Sequence, residues 1–441
     1  MNQTKTIHFF CDDKIEPAWR LCGDAHVYYT LSRFIDFLAR PLQWRGNTYE
    51  LKLEKVTPQP IVCGQLTQKP DFIIDRLSFW NNYYSCLAQS HLNSLVGTTN
   101  CNYTMRQYNK HSTSDVLARA MHPDDCFPTT VLLPESDYLS SEAASNLLLE
   151  VMSQHFNDRY PVFLKRAYGS GGGADVIKVE NFEELYVNYT RNSWSVFHLQ
   201  QAIEGFDEHI RCMAIGPQIL PMKFHMGKSL TEKKFPTGEN YLQGYEPELV
   251  TIDRQNKDLY QRLGNYVKFN NSYHRWTYAS FEALIKNERI HPIDFANPHC
   301  DSRFYTLHAH FPWFICALLR WASFCAVTNK DMGVDLAQQK TLEVLNDPQL
   351  SALEKYEFCQ QFSEAYFEQE LFMEFCAENW SDLDLKMIEF YDSHWSEVIE
   401  YAIKIGYSPL QTHKHYQHKY RELMDKYFRP NAKEYLNFNI Y

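Results

Sequence analysis

Two carboxylates and one amide late in the sequence have the types and spacing of a magnesium site. Glu282 and Asp294 lie in segments that read as two strands of a hairpin around residues 287–289, and each alternates with apolar neighbours. Because successive side chains of a strand point to opposite faces, both carboxylates can share one face, and Asn297 follows Asp294 by three residues. Carboxylate and amide oxygens are the ligands that Mg²⁺ prefers, completed by phosphate oxygens and water. Glu282 and Asp294 are therefore candidates for a metal site; the simpler interpretation is a pair of surface carboxylates on a hairpin.

A lysine followed by a glycine-rich loop is the second chemical feature. The apolar run 162–164 ends in Lys165, and a loop follows that contains Gly169, Gly171, Gly172 and Gly173. Glycines let backbone N–H groups approach an anion closely because no Cβ stands in the way, and lysine supplies a compact positive charge. This combination predicts a loop that covers the phosphates of a nucleotide. A glycine-rich hairpin without a ligand is the alternative.

Two other phosphate motifs fit this loop less well. A P-loop ends in Gly-Lys-Ser/Thr, and no such triplet is present here. Gly169, Gly171 and Ala174 spell the dinucleotide pattern GxGxxA, but that pattern must open a helix. The residues that follow, 175–179, are short and β-branched, which predicts a strand. The glycines are therefore expected at the tip of a hairpin, as a flap.

In this order the motifs resemble the ATP-grasp superfamily, in particular the branch of ribosomal-protein-S6 glutamate ligase and glutathione synthetase. The resemblance covers roughly residues 60–330 and rests on short motifs. It implies an α+β ATP-grasp fold with an N-terminal α/β domain and a C-terminal helical extension. The expected units are an N-terminal domain (1–108), a small subdomain with the flap (109–195), a large subdomain with the metal site (196–330) and the helical extension (331–441).

The resemblance also implies the residues that hold a nucleotide. Lys110 and Lys165 match two lysines that contact phosphates in the family, and Glu208 matches an acidic residue that binds the ribose, with Asp207 or His209 as replacements. The resemblance implies a metal site of Glu282, Asp294 and Asn297, with Asp301 as an alternative ligand; the family's usual pattern is Glu-x-Asn, so Asp-x-x-Asn is a variant here. The further implied contacts are Gly171, Gly172 and Gly173 over the phosphates, Gln201, Ala202 and Ile203 around the adenine, and Arg211 and Lys223 beside the phosphoryl oxygens.

The implied reaction is an ATP-dependent ligation of a carboxylate to an amine through an acyl phosphate, with Mg²⁺ or alternatively Mn²⁺. The substrates would be an amino acid, a small peptide or a related small acid, together with an amine. The loop with Lys228, Lys233 and Lys234 lacks the Arg-Asn-Gly-Gly pattern of glutathione synthetases, which leaves the acceptor open. The alternatives are an ATP-grasp phosphotransferase that acts on a hydroxyl and a nucleotide-binding regulatory protein with a degraded site.

Composition limits the partners. The 441 residues carry 43 Lys plus Arg against 54 Asp plus Glu, and a net charge of −11 argues against broad binding to nucleic acid or an anionic membrane. The 12 cysteines are scattered without a CxxC pair, and the N-terminus has no apolar signal core, so we expect free thiols in the cytoplasm. The apolar run 311–327 contains Arg320 and is too short to span a bilayer, which favours a buried helix.

Alternating elements predict how the ends of the chain are built. Segments 6–11, 51–56 and 72–74 read as strands around one amphipathic helix, and Arg76 follows the last of them. Arg76 is therefore a candidate for holding a substrate carboxylate, with a surface arginine in an ion pair with Asp75 or elsewhere as the more ordinary interpretation. Beyond residue 331 the apolar spacing predicts helices that pack against the catalytic body, although a lid, a homodimer surface or a partner site would have the same pattern.

Overall fold

Three β-sheets and a set of C-terminal helices make up the computed structural model of the chain. The residues it describes are 3–11, 24–63, 69–107, 109–168, 176–223, 250, 252, 254–332, 338–406 and 413–436. Their strands are β1 (Gln3–Phe10), β2 (Leu42–Trp44), β3 (Asn47–Lys55), β4 (Phe72–Asp75), β5 (Gly97–Thr98), β6 (Thr130–Leu133), β7 (Val162–Arg166), β8 (Val176–Val179), β9 (Phe197–Gln201), β10 (Glu208–Ile215), β11 (Gln218–Lys223), β12 (Tyr278–Lys286) and β13 (Arg289–Asp294).

The helices of the same residues concentrate towards the C-terminus. They are α1 (Ala25–Leu38), α2 (Asn82–Asn93), α3 (Asn102–Gln107), α4 (Lys110–Arg119), α5 (Ser141–Phe156), α6 (Phe182–Arg191), α7 (Lys257–His274), α8 (Phe304–Leu307), α9 (Phe311–Thr328), α10 (Gln339–Asn346), α11 (Ala352–Phe367), α12 (Gln369–Asn379), α13 (Leu383–Gly406), α14 (His413–Tyr427) and α15 (Ala432–Leu436). Single 3₁₀ turns lie at Ser136–Tyr138, His308–His310 and Arg429–Asn431.

The N-terminal sheet is mostly parallel, with the strand order β2-β3-β1-β4-β5. β1 pairs in parallel with β3 and β4, and only β2 runs antiparallel to its neighbour. Ile7, Phe9 and Phe10 on β1 are buried, as expected of a central strand that is covered on both faces. The predicted N-terminal α/β domain is therefore present.

Two four-stranded antiparallel sheets follow, and they are the part of the fold that carries the candidate site. One has the order β6-β9-β7-β8, and we call it the small sheet after the expected small subdomain. The other has the order β11-β10-β12-β13, and we call it the large sheet after the expected large subdomain. β9 pairs with β6 and β7, so residues 197–201 belong to the small sheet rather than to the large subdomain expected from residue 196. The change from one sheet to the other lies in residues 202–207, because these separate β9 from β10.

Helix α4 differs from the expected subdomain division in its packing. Its Leu117, together with Ala120 and Met121, shares a buried apolar cluster with α7 and the large sheet, although residues 109–195 were expected to form the small subdomain. The backbone N–H of Lys110 donates to the carbonyl of Ala167 at 3.0 Å, just after β7. The start of α4 therefore contacts both subdomains, because its apolar face packs on the large one while its first residue bonds to the small one.

Helix α9 is the central element of the largest apolar cluster. It is almost entirely buried and packs together with the N-terminal sheet and with helices α12 to α15. Within the described residues, His308–Thr328 is the one segment long and apolar enough to span a membrane, and 94% of its apolar window is buried inside the protein. Arg320 is paired with Asp384 at 2.6 Å. The run is thus the buried core helix expected from the sequence, and the C-terminal helices pack on the body of the protein.

Candidate active site

Glu282 and Asp294 lie directly opposite each other on adjacent strands. In the register of β12 and β13, Glu282 pairs with Asp294, whereas Ala283 pairs with Pro292, so the ladder contains a bulge at this point. Directly opposite side chains in an antiparallel pair share a face and have Cβ atoms about 5 Å apart. The hairpin expected from the sequence therefore places both carboxylates side by side.

The Glu282 carboxylate is surrounded by cationic and polar groups on β10. The Nε2 atom of His209 lies 3.4 Å from Oε2, and an Nη1 atom of Arg211 lies 3.9 Å from Oε1. Burial alone would raise the pKa of Glu282, but His209, Arg211 and Lys110 outweigh burial and lower the pKa to about 2. Glu282 is thus held ionised, which is the state in which a carboxylate binds a cation.

Lys110 forms an ion pair with the second carboxylate. Its Nζ donates to Oδ2 of Asp294 at 2.6 Å. Lys110 is the first residue of α4, and the helix is capped by Asn109, whose Oδ1 accepts from the N–H of Ser112 at 2.8 Å. A side-chain cap satisfies a backbone donor that the first turn leaves unpaired, so the cap fixes where α4 begins and hence where Lys110 lies.

Lys165 reaches the same strand from the small sheet. Its Nζ donates to Oε1 of Gln200 at 2.6 Å and to the carbonyl of Ile293 at 3.1 Å. Ile293 is the extra residue of the bulge between the Asp294 and Pro292 pairings. Lys165 is only 8% exposed, and burial together with Lys110 lowers its pKa to about 8, although Asp294 and Glu282 act in the opposite direction.

Asn297 is held close to the carboxylates by a serine of β12. Its Nδ2 donates to Oγ of Ser280 at 2.9 Å, and the same hydroxyl accepts from Arg211 at 3.2 Å. The alternative ligand Asp301 is occupied elsewhere, because its Oδ1 accepts from Nε of Arg303 at 2.7 Å. Burial would raise the pKa of Asp301, but Arg303 outweighs it and lowers the pKa to about 2. Among the described residues no side chain donates to the amide oxygen of Asn297, whereas the Asp301 carboxylate is engaged by Arg303.

The residues expected around the adenine and the ribose lie at the change between the sheets. Gln201 ends β9, and its N–H donates to the carbonyl of Thr129 at 2.8 Å, while Ala202 and Ile203 are half-buried in the connection that follows. Glu208 begins β10, where Oε2 accepts from the hydroxyl of Tyr260 at 2.7 Å and Oε1 lies 3.3 Å from Nζ of Lys223. Glu208 is three residues from Arg211, which corresponds to about 10 Å along the strand.

The glycine-rich loop falls on residues 169–175, which lie outside the described residues, so Gly171, Gly172 and Gly173 are not located. Its flanks are described: β7 and β8 are antiparallel neighbours in which Lys165 pairs with Val176. The described residues that follow the glycines, Val176–Val179, form a strand rather than the helix that a GxGxxA fingerprint requires. The lysines at 228, 233 and 234 also lie outside the described residues.

Arg76 is a buried contact between domains rather than an open anion site. Its Nε donates to Oδ2 of Asp24 at 2.9 Å, and an Nη2 atom donates to the carbonyl of Cys300 at 2.6 Å. The guanidinium lies 4.0 Å from the ring centre of Tyr278 on β12. The ordinary interpretation is right about the ion pair, whose partner is Asp24, but wrong about the surface, because Arg76 is only 3% exposed.

Three residues of the site were not singled out from the sequence. Gln200 fixes Nζ of Lys165, Ser280 holds Asn297 and Arg211, and the buried His198 lies opposite Lys165 on β9. Burial, with His111 and Lys165 nearby, lowers the pKa of His198 to about 3, so its ring is neutral. The alternation of β9 could have indicated Gln200 and His198, because both share a face with Lys165.

Glu282, Asp294 and Asn297 alone cannot fill the coordination shell of a metal ion, so a bound ligand would have to supply further oxygens. Within the described part of the chain, no group of three or more His, Cys, Asp or Glu side chains is placed to hold a metal ion. Glu282, Asp294 and the amide of Asn297 supply at most a few oxygens of the octahedral set that Mg²⁺ demands. Two lysine ammoniums lie beside them, so phosphate oxygens are suitable partners for the cation and for the lysines alike.

Comparison with known proteins gives similarity of fold alone. The sequence matches no protein-family model and no curated protein. Solved structures similar to this chain are ATP-grasp ligases. The D-alanine–D-alanine ligase from Bacillus anthracis complexed with ATP has a TM-score of 0.41 and 14% identity, covering 77% of this chain and 98% of that chain. The VanG D-Ala:D-Ser ligase from Enterococcus faecalis has a TM-score of 0.47 and 12% identity, covering 75% and 99%.

A RimK domain ATP-grasp protein from Sphaerobacter thermophilus has a TM-score of 0.40 and 13% identity, covering 66% of this chain and 91% of that chain. These likenesses are distant, and the assignment of the site rests on the side chains of this chain. The expected fold class, an α+β ATP-grasp fold with an N-terminal α/β domain and a C-terminal helical extension, agrees with the two antiparallel sheets, the parallel sheet before them and the helices after Thr328.

Proposed function

We propose that the protein is an ATP-dependent carboxylate–amine ligase that forms an amide through an acyl phosphate and uses Mg²⁺. One observation carries this proposal: Lys110 and Lys165, on different elements, both donate to the strand that bears Asp294. A triphosphate with its divalent cation needs ammonium groups and carboxylates within reach of the same oxygens. The four side chains Lys110, Lys165, Glu282 and Asp294 supply both.

The residues present fit a divalent cation and a nucleotide. Glu282 and Asp294 face each other across one strand pair, and Asn297 adds an amide, which is the oxygen chemistry of a Mg²⁺ site. When bound, Mg²⁺ would be held by Glu282, Asp294 and Asn297 and would supply positive charge that offsets the charge developing on the phosphates. Lys110 would exchange its bond to Asp294 for a phosphate oxygen, and Lys165 would exchange its bond to the carbonyl of Ile293.

The chain's own side chains then position the reactants. The carboxylate of the first substrate attacks the γ-phosphorus, the bond to the β–γ bridging oxygen breaks, and ADP leaves. Arg211 on β10 and the two lysines stabilise the negative charge on the transferred phosphoryl group. The amine of the second substrate attacks the acyl carbon, phosphate leaves, the amine loses a proton and an amide remains. Positioning and charge suffice for these steps, so the proposal requires no protein nucleophile.

Glu208, Gln201 and the connection between β9 and β10 are proposed to hold the nucleoside. Gln201 and Glu208 lie on the same strands as Gln200 and Arg211, towards the change between the sheets, but alternation turns the side chain of Glu208 to the face of β10 opposite that of Arg211. Lys223 pairs with Ile210 and contacts Glu208, so it shares the face of Glu208 rather than that of Arg211, and its proposed place is beside Glu208 rather than beside the phosphoryl oxygens. The substrates are proposed to be an amino acid, a small peptide or a related small acid, and an amine.

The test is a screen for ADP release with candidate acids and amines, with the products identified by mass spectrometry. The expected result is an amide plus ADP and phosphate. With an acid labelled with ¹⁸O in its carboxylate, one labelled oxygen is expected in the released phosphate, because the acyl phosphate transfers it. A phosphorylated hydroxyl would identify a phosphotransferase, and tight ATP binding without turnover would identify a regulatory protein. Either outcome would contradict the proposal.

A further inference from the structure

Ser280 lies behind the candidate metal site. It is two residues before Glu282 on β12, so the two side chains share a face of the sheet. Ser280 is 1% exposed. Its Oγ accepts a hydrogen bond from Arg211 at 3.2 Å and another from Nδ2 of Asn297 at 2.9 Å. A serine hydroxyl has two lone pairs, so it can accept both bonds at once.

The backbone beside Ser280 explains why the unusual Asp-x-x-Asn spacing still brings Asn297 to this place. A regular antiparallel ladder continuing from the Glu282–Asp294 pair would put Ala296 opposite Ser280. Instead, the N–H of Ser280 donates to the carbonyl of Asn297 at 3.2 Å. One extra residue is therefore accommodated between Asp294 and Asn297. Ser280 contacts Asn297 through the backbone and the side chain, which fixes the asparagine where a shorter Asp-x-Asn spacing would have placed it.

The contact with Ser280 also decides which end of the Asn297 amide is available. A side-chain amide has a donor end and an acceptor end, and only the oxygen can bind a cation. With Nδ2 committed to Ser280, Oδ1 is turned away from the serine, and among the described residues no donor is bonded to it. We propose that Ser280 is a positioning residue that orients the amide oxygen of Asn297 towards the metal and holds Arg211 beside Glu282.

This proposal rests on the proposed function, since it needs the cation and the nucleotide. It concerns a residue that touches neither of them: Ser280 acts through Asn297 on metal affinity and through Arg211 on the phosphoryl group. The partners that orient metal ligands typically change metal affinity by about 10–100-fold when they are removed. A role in folding alone would leave metal affinity unchanged in the folded protein.

The experiment is an EPR titration of Mn²⁺ into the full-length protein saturated with ADP. Ser280→Ala is expected to weaken Mn²⁺ binding by about 10–100-fold. ADP affinity in EDTA, measured by calorimetry, is expected to stay at the wild-type value. Ser280→Thr keeps the hydroxyl and is expected to restore Mn²⁺ binding. The matched control is Ser323→Ala, which removes an equally buried hydroxyl that accepts from Trp380 in the core around α9, and it is expected to leave Mn²⁺ binding unchanged.

A double-mutant cycle separates positioning from general damage. In an Asn297→Ala background, adding Ser280→Ala is expected to weaken Mn²⁺ binding little further, because the amide that Ser280 orients is already gone. Equal losses in both backgrounds, or wild-type Mn²⁺ affinity in Ser280→Ala, would overturn the positioning role while leaving the nucleotide site intact. If the wild-type protein binds neither ADP nor Mn²⁺, the proposed function fails and the positioning role fails with it.

Discussion

The two antiparallel sheets bring opposite charges to one place but compensate them differently. Glu282, on the large sheet, has His209 and Arg211 as neighbours on the adjacent strand, and these hold its pKa at about 2. Lys165, on the small sheet, is bonded to an amide and to a peptide carbonyl, and its pKa is lowered to about 8. The carboxylate of Glu282, whose side chain is 27% exposed, is stabilised as an ion, whereas the buried ammonium of Lys165 is not.

This difference indicates what the site lacks. Neutral oxygens satisfy the hydrogen bonds of Lys165 but offset little of its charge, and Lys110 nearby adds a second positive charge. An anion with several oxygens would supply what both ammoniums need. The apolar cores of the two subdomains are separate clusters, so polar contacts such as Lys110–Asp294 and Lys165–Ile293 bridge them. A ligand that replaces these contacts would act on the junction itself.

The largest expected effect comes from removing one charge of each sign. Lys165→Met and Asp294→Asn should each lower the rate of ADP release by about 10²–10³-fold, as the loss of one electrostatic stabiliser does in other active sites. The measurement is coupled ADP release with a substrate pair found in the screen, and circular dichroism confirms folding. Lys178→Met, on the neighbouring strand with its side chain in solvent and paired with Glu180, is the matched control. A wild-type rate of ADP release in Lys165→Met or Asp294→Asn would show that these two side chains do not act on the same bound triphosphate.

The second prediction separates the charges of Lys165 and Glu282 by their effects on the stability of the folded protein. Lowering the pKa of Lys165 from 10.5 to about 8 corresponds to about 3 kcal/mol at 1.4 kcal/mol per unit, so Lys165→Met should stabilise the folded protein by up to that amount. Glu282→Gln should destabilise it by about 1–3 kcal/mol, because Arg211 loses its counter-charge. Thermal and urea unfolding give the free energy of unfolding of each variant relative to the wild type. If both variants were stabilised, or both destabilised, the contrast between Lys165 and Glu282 would be wrong.

The lowered pKa of Lys165 also decides how the stability of the folded protein depends on pH. Between pH 8 and 10.5 the unfolded chain binds the Lys165 proton more tightly than the folded protein does, so wild-type stability rises with pH across this window. Below pH 8 the folded protein bears the full cost of burying the charged ammonium of Lys165. The stability gap between Lys165→Met and the wild type should therefore be widest below pH 8 and close as the pH approaches 10.5.

Nucleotide binding should depend on pH in the opposite direction. Phosphate oxygens favour the charged ammonium, so binding takes up a proton above pH 8, and affinity should fall by up to about tenfold per pH unit there. Calorimetry with ADP at pH 7, 8 and 9, in buffers of different ionisation enthalpy, measures both the affinity and the proton uptake. Lys165→Arg stays charged and should flatten the profile. A wild-type affinity that does not change between pH 8 and 9 would show that Lys165 does not contact the phosphates.

The sequence was informative where chemistry follows from local pattern. The alternation around residues 287–289 predicted the shared face of Glu282 and Asp294, and the β-branched residues after the glycines predicted a strand rather than a helix. It did not show the bulge that brings the carbonyl of Ile293 to Lys165, or the extra residue before Asn297. Register and bulges depend on the partner strand and on tertiary packing, and these are not written in the spacing of one segment.

Long-range packing explains the remaining differences. β9 joined the small sheet and α4 joined the core of the large subdomain, although both were assigned by position along the chain. Arg76 follows a strand of the N-terminal sheet, as expected, but its partner Asp24 lies 52 residues earlier and Cys300 lies 224 residues later. No local pattern specifies such partners, because contacts distant in sequence are set by the assembled fold.

The smallest expected effect concerns the cap that places Lys110. Asn109→Ala removes the bond from the N–H of Ser112 and should cost about 1 kcal/mol, the usual value of an N-cap. Because α4 is also held by Leu117 and its neighbours in the core of the large subdomain, the loss should be local. Hydrogen exchange should increase in the first turn of α4 and stay unchanged in α7, with a modest loss of nucleotide affinity. Asn109→Asp keeps the capping oxygen and should behave as the wild type. Fraying that spread into α7 would mean that the cap supports the large subdomain, and then Lys110 would be positioned by packing rather than by its helix terminus.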